Sequence, residues 1–211
     1  MAQTPKHRQA IIEAAVRLFR RQGYAASGLN QIVEASGAPK GSMYHYFPEG
    51  KTAIATEALR HAARRVERTL EDLAAQTDGA GELLRRYASL VAGWMAESGF
   101  RDGCPIATTL LETAPQVAPI REAGEQAFDA WARVLAGRLE AQGLAAERAR
   151  RLSRTAIAAI EGALLMSRVQ ASGQPLIDMA EEIAIAFDAA IERQREDPAD
   201  RGPRGARDGH R

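Results

Sequence analysis

Ser27-Gly-Leu-Asn-Gln-Ile-Val-Glu-Ala-Ser-Gly-Ala-Pro-Lys-Gly-Ser-Met-Tyr-His-Tyr-Phe-Pro-Glu-Gly-Lys51 reads as two short helices joined by a glycine turn, followed by an aromatic stop and a lysine. Leu29, Ile32 and Val33 recur at i, i+3 and i+4 and so line one face of the first helix. Ser27 is placed to cap its start, with Asn30 three residues on as a weak variant of a capping box. Gly37 supplies the left-handed residue that ends a helix. Pro39 is acceptable only in the first turn of the next helix, which spans about Pro39 to Tyr46 and is closed by Pro48 and Gly50. Two short helices about such a turn have the layout of a helix-turn-helix DNA reader.

The second helix is poor in core residues. Met43 and Phe47 lie four apart and can anchor it to the body, while Lys40, Gly41, Ser42, Tyr44 and His45 are polar, small or amphipathic. A face of that kind can enter a major groove, which is wide enough to admit a helix. Gly41 costs about 1 kcal/mol of helix stability relative to Ala, so its presence suits a close backbone approach. Lys40 can neutralise a phosphate, and Ser42 and His45 can hydrogen-bond phosphates or base edges. Tyr44 can offer its ring to a thymine methyl and its hydroxyl to a phosphate. Lys51 and Thr52 open the following helix, whose N-terminal amides form a phosphate site with the lysine beside them, so the candidate DNA-binding residues are Ser27, Lys40, Gly41, Ser42, Tyr44, His45, Lys51 and Thr52. The plain alternative is a helical hairpin with aromatic residues in a small core.

The residues before the hairpin support the reader. Ile12, Ala15, Val16 and Phe19 form an apolar stripe on a first helix of about Pro5 to Gln22, ended by Gly23-Tyr24. Taken together, Ile12, Ala15, Phe19, Gly23-Tyr24, Ser27, Ile32, Gly37, Lys40-Gly41-Ser42, Tyr44-His45-Tyr46-Phe47 and Lys51 resemble the DNA-binding domain of the TetR family of transcriptional regulators. Two features depart from the commonest pattern. Pro39 stands where the family usually has a small or hydroxylated residue, which removes one amide contact, and the Pro48-Glu49-Gly50 loop is slightly long. That loop and Leu29-Asn30-Gln31-Ile32 look like the branch with drug- and flavonoid-responsive repressors.

The resemblance implies an all-α fold, with an N-terminal three-helix helix-turn-helix domain over residues 1–52 and a larger helical ligand-binding and dimerisation domain over 53–194. Composition agrees with this. The 211 residues suit one reader plus one larger domain, and an apolar fraction of 45% can support a sizeable core. Residues 1–52 hold seven Lys and Arg against three Glu, a charge of +4, which leaves −3 for the remainder of a chain whose formal net charge is +1. A basic head on a mildly acidic body is the electrostatic footprint of a nucleic-acid binder. There is no apolar run of 18 residues or more, no signal-peptide core, one cysteine and no metal-spaced Cys/His cluster. A cytoplasmic protein without metal or cofactor is expected.

The rest reads as helices at about 51–76, 82–98, 105–113, 118–142, 146–172 and 175–194, with 77–81 as a loop. The first of these carries an inner stripe of Ile54, Ala58, Ala62, Val66, Leu70 and Leu73 and would join reader to body. Residues 195–211 read as a disordered tail, with a weak nonspecific DNA contact as the alternative. Candidate ligand-binding residues are Trp94, Met95, Phe100, Cys104, Ile106, Leu110, Phe128, Trp131 and Met166, beside Leu111 and the polar groups Thr108, Thr109, Glu112 and Arg168. Each of the apolar ones also fits simple core packing. Cys104 follows a Gly103-Cys104-Pro105-Ile106 break and has a redox-sensor alternative. Ile157, Ile160, Gly162, Ala163, Leu164 and Leu165 on the penultimate helix, and Ile177, Ala180, Ile183, Ala184, Phe187, Ala190 and Ile191 on the last, suggest a four-helix interface between two chains.

The expected function is a ligand-responsive transcriptional regulator, a repressor, that binds a palindromic double-stranded operator as a homodimer through helices 146–172 and 175–194. A small apolar or aromatic effector would release it, and a two-fold dimer would set its recognition helices one DNA turn apart, about 34–36 Å. The alternative is a helical enzyme or protein-interaction module with a vestigial reader. No Ser-His-Asp set, Cys-His set or phosphate loop supports catalysis.

Overall fold

The structure is a computed structural model and describes residues 6–196. Among them the chain forms helices only: α1 (Lys6–Gln22), α2 (Leu29–Ser36), α3 (Lys40–Tyr46), α4 (Lys51–Ala74), α5 (Ala80–Glu97), α6 (Pro105–Thr113), α7 (Ala118–Ala141), α8 (Ala146–Gln170) and α9 (Gln174–Glu196). None of these helices is long and apolar enough to cross a membrane.

The small N-terminal bundle forms because the apolar stripe of α1 meets those of its neighbours. Ile11, Ile12, Ala15 and Phe19 of α1 are buried with Ile32 and Val33 of α2, and Met43 and Phe47 clamp the α3 region onto them. Gly37 ends α2 at φ 65°, a left-handed conformation that side chains disfavour. Pro39 lies one position earlier than the sequence suggests. It is the N-cap of α3, at φ −58° and ψ 140°, and its carbonyl accepts the Ser42 N–H at 2.9 Å. Ser27 does not cap α2. Gly28 takes that position, and the fully buried Ser27 hydroxyl instead donates to the Gly23 carbonyl at 2.7 Å. A donor pointing into the bundle is worth more there, since the end of α1 would otherwise leave a carbonyl without a partner.

The larger body packs α4 along α7, α5 along α9, and α8 between α7 and α9. The expected domain boundary at residues 52–53 falls inside the first turn of α4, which is continuous into the body. Helix α5 starts two residues earlier than expected. Gly79 is its N-cap, and the Gln142 side chain at the end of α7 accepts the Ala80 N–H at 2.9 Å. That cap comes from 62 residues away, so local sequence carries no sign of it. At the other end, α9 continues through Arg195 and Glu196, the first two residues expected to be disordered. The rest of that tail, 197–211, lies outside the described residues.

The four-helix face expected on α8 and α9 is divided. Ile157, Ile160 and Ala163, together with Ala180, Ala184, Phe187, Ala190 and Ile191, are buried within one chain. The outward apolar positions are Leu165, Met166 and Val169 on α8 and Ile177 and Ile185 on α9. Period 3.6 separates the two sets: each helix has one apolar side for its own core and another left over.

Candidate functional site

Helix α3 is held by its buried side and shows the other. Met43 and Phe47 each retain only 2% of their accessible surface, whereas Lys40, Gly41, Tyr44 and His45 are exposed and Ser42 is half-buried. Positions 40, 41, 44 and 45 fall on one side of a 3.6-residue helix. Tyr44 is 65% exposed, an unusual state for a large aromatic side chain in a small bundle. Apart from its sequence neighbours and its own helix backbone, no atom lies within 4 Å of the place a Gly41 Cβ would occupy, so no other element packs against that position. Residues 40–45 therefore present a contiguous basic and aromatic ridge. The expected placement of Ser27 beside it is not realised, because its hydroxyl is buried under α1.

Lys51 and Thr52 begin α4 as expected, yet Lys51 is not a free arm. Its ammonium lies 4.1 Å from the centre of the Tyr24 ring and donates to the Ala25 carbonyl at 3.4 Å. Burial lowers its pKa from the ordinary lysine value, and the nearby Glu112 carboxylate opposes that shift. Glu112 belongs to α6. It is not a cleft residue: its carboxylate accepts the Ala25 N–H, and it fills the space beside Gly23, where a Cβ would strike it. Gly23 also has φ 84°, so two independent constraints favour glycine at this corner.

Three further contacts fasten α6 and the loop before it to α1. The Gly103 N–H donates to the Arg20 carbonyl at 2.9 Å, and the Thr108 hydroxyl lies 3.0 Å from the Phe19 carbonyl and 2.9 Å from the Cys104 carbonyl, sharing its one proton between them. Arg20 pairs with Asp102 at 2.7 Å. Phe19 and Arg20 lie in the last turn of α1; the Phe19 carbonyl also accepts the Gly23 N–H at 3.0 Å, and the Arg20 carbonyl takes its partner from Gly103. The body therefore completes the end of the reader's first helix.

On its far side α6 walls, with α7 and α8, a cleft of about 840 Å³. Gly103, Cys104, Thr108 and Leu110 contribute from the α6 side, Phe128 from α7, and Ile157, Glu161, Leu164 and Arg168 from α8. Of the ligand-binding candidates, Cys104, Leu110 and Phe128 line it. The other six do not, for reasons of helical phase and depth. Met95 and Ile106 are core residues, and Trp131 is buried with its indole N–H donated to the Ala63 carbonyl at 3.1 Å. Trp131 still stacks edge-on against Phe128, at 5.6 Å between ring centres, and so backs the cleft wall. Trp94 and Met166 face outward, and Phe100 packs against the core from a loop at φ 57°. Among the polar candidates, Thr108 and Arg168 reach the cleft, whereas Thr109 is fully buried and bonded to the Pro105 carbonyl.

Sequence reasoning missed Glu161, a carboxyl-bearing residue of the cleft lining. Arg154, Glu161 and Arg168 recur every seven residues along α8, and that spacing on an otherwise apolar face was the available signal. Glu161 touches cleft solvent but is otherwise enclosed, and burial pushes its carboxyl up to about 7, with the Cys104 thiol as a hydrogen-bond partner that opposes the shift. Burial and Glu161 push the Cys104 thiol well above its ordinary value. A reactive thiol needs the opposite shift.

The sequence comparisons agree with this geometry. The family model described as bacterial regulatory proteins of the tetR family matches residues 11–58, and the model described as the C-terminal domain of LmrA/YxaF-like transcriptional regulators matches residues 80–182. The HTH-type transcriptional regulator YxaF of Bacillus subtilis is 35% identical, over 84% of this chain and 93% of that protein. LmrA of the same organism, also an HTH-type transcriptional regulator, is 33% identical over 82% and 92%. A crystal structure of a TetR regulatory protein from Rhodobacter sphaeroides superposes with a TM-score of 0.73 at 25% identity, covering 84% of this chain and 96% of the other. The chain thus belongs to the TetR family of transcriptional regulators, with a larger domain of the LmrA/YxaF-like kind.

Proposed function

We propose that the protein is a ligand-released repressor that occupies a palindromic operator as a homodimer. The observation that carries this reading is the double use of the α6 region. Gly103 and Thr108 line the cleft and also touch the end of α1, the Gly103 N–H donating to the Arg20 carbonyl and the Thr108 hydroxyl lying 3.0 Å from the Phe19 carbonyl. A molecule that wedges α6 away from α7 and α8 must therefore load the reader directly, as well as through α4. Ligand-free protein keeps the two α3 ridges at the spacing of successive major grooves, and Lys40, Ser42, Tyr44 and His45 make the contacts. Thr52 and the first amides of α4 meet a phosphate, with Lys51 reaching it from its seat on Tyr24. Differential affinity of the effector for the two arrangements drives release. The mostly apolar cleft, with Glu125, Asp129 and Glu161 among its lining, fits a small apolar or aromatic molecule.

The test is a salt-controlled gel shift with duplex DNA from upstream of the protein's own gene, repeated with candidate effectors and with Thr108→Val. The expected result is a sequence-specific complex that effectors dissolve, with a response altered in Thr108→Val. A protein that binds this DNA no better than random duplex sinks the proposal.

A further inference from the structure

Helix α6 is keyed to its surroundings on two sides, each time against a glycine. Leu110 occupies the notch left by Gly124 of α7, where an added Cβ would strike it. Two residues on, and so on the opposite side of the helix, Glu112 fills the space over Gly23 in the turn after α1. The carboxylate accepts the Ala25 N–H there. The same turn is the seat of Lys51, whose ammonium lies over the Tyr24 ring and donates to the Ala25 carbonyl. Ala25 is therefore held through its N–H by the body and through its carbonyl by the start of α4. Glu112 is exposed, so it does not need this seat to escape burial. By charge alone, a carboxylate beside a phosphate-contacting lysine repels DNA. Any gain it brings to DNA binding comes from where it holds the turn.

We propose that Glu112 is a positioning residue for operator binding: seated over Gly23, it fixes the Tyr24–Ala25 turn on which the Lys51 ammonium rests, and so sets the phosphate contact at the start of α4. This rests on the Lys51 contact of the proposed function and deepens it, by naming the residue of the body on which that contact depends. Glu112 acts through Lys51 and not on DNA itself. Because α6 also walls the cleft, a shift of that helix unseats Glu112 and frees the lysine from its place.

The experiment titrates two duplexes over a salt series, one from upstream of the protein's own gene and one of random sequence. It compares wild type, Lys51→Ala, Glu112→Ala, Glu112→Gln and the double variant Glu112→Ala/Lys51→Ala, with circular dichroism as the check on fold. Lys51→Ala is expected to weaken binding to both duplexes about tenfold and to lower the salt slope by about one. Glu112→Ala is expected to weaken both about fivefold with a shallower slope, although it removes a negative charge. Glu112→Gln keeps an acceptor for the Ala25 N–H and is expected to bind at least as tightly as wild type. In the Lys51→Ala background, loss of Glu112 should change affinity by no more than about twofold. Glu112→Asp, a methylene short of the seat, replaces Glu112→Ala should that variant not fold. Wild-type or tighter binding by Glu112→Ala makes the carboxylate a repelling charge only and overturns the inference. Independent losses in the double variant, or a Glu112→Gln as weak as Glu112→Ala, overturn it as well. Unchanged affinity and slope in Lys51→Ala remove the phosphate contact itself, and binding to neither duplex removes the proposed function.

Discussion

The α3 ridge and the cleft between α6, α7 and α8 differ in how they are built. The ridge draws its exposed residues from positions 40–45, all on one helix, fixed by two neighbouring anchors. The cleft draws on three helices, from Gly103 to Arg168, and no segment of it is functional alone. A ridge can thus be damaged locally and completely, whereas a cleft assembled from distant helices changes by degrees. Between them lies the α1–α6 seam, where Gly103, Thr108 and Glu112 belong to the cleft's own helix region and touch the reader.

The largest test of this contrast is Phe47→Ala. Phe47 is almost fully buried and, with Met43, anchors α3. Truncation is expected to cost about 3–4 kcal/mol, measured by denaturant unfolding, and to abolish operator binding. If binding survives at full strength, the ridge does not depend on its anchor.

Glu161→Gln probes the cleft instead, and the sign of its effect depends on pH. The native carboxyl titrates at about 7 against an ordinary value of 4.5, so the folded state holds a proton that the unfolded state has lost between these values. Native stability therefore falls as pH rises from 4.5 through 7, and the whole penalty is present above 7. The glutamine variant is expected to gain on the order of 2 kcal/mol at pH 8 and nothing at pH 4, read from unfolding curves at both. Equal effects at the two pH values would mean that the carboxyl is not perturbed.

A smaller effect is expected of Tyr44→Ala. With its side chain largely in solvent, stability should stay within about 0.5 kcal/mol of wild type. Operator affinity should fall about tenfold, an energy of about 1.4 kcal/mol, measured by titration at constant salt. Unchanged affinity removes Tyr44 from the reader.

Smallest of all is Ser27→Ala, which leaves the Gly23 carbonyl without its buried donor and is expected to cost about 1 kcal/mol. The salt dependence of DNA binding should be the same as in wild type. A reduced slope would return Ser27 to the phosphate contacts.

Much of the reader is legible in sequence because its determinants are local. Gly37 ends α2, Met43 and Phe47 alternate with the exposed positions of α3, and the α1 stripe needs only period 3.6 to be seen. The exceptions are instructive. A serine before a helix can cap it or bond backward, and only the packed end of α1 decides for the second. Lys51 opens α4 in either reading, but Tyr24 and Glu112, one from the turn before and one from α6, draw its ammonium inward. In the body, apolar residues on helices 105–113, 118–142 and 146–172 are interchangeable by type. Trp131 and Phe128 are three residues apart, yet one is sealed under α4 with its indole bonded and the other faces the cleft.

Residue order alone therefore specified an all-helical chain, the helix-turn-helix and the identity of the exposed α3 ridge, since hydrophobic period and turn chemistry act over a few residues. Tertiary structure alone decided which apolar faces became core, cleft or outward stripe, and that α6 bonds to the reader. Those outcomes depend on the relative rotation and approach of helices far apart in sequence, where the stripe of any one helix is compatible with several partners.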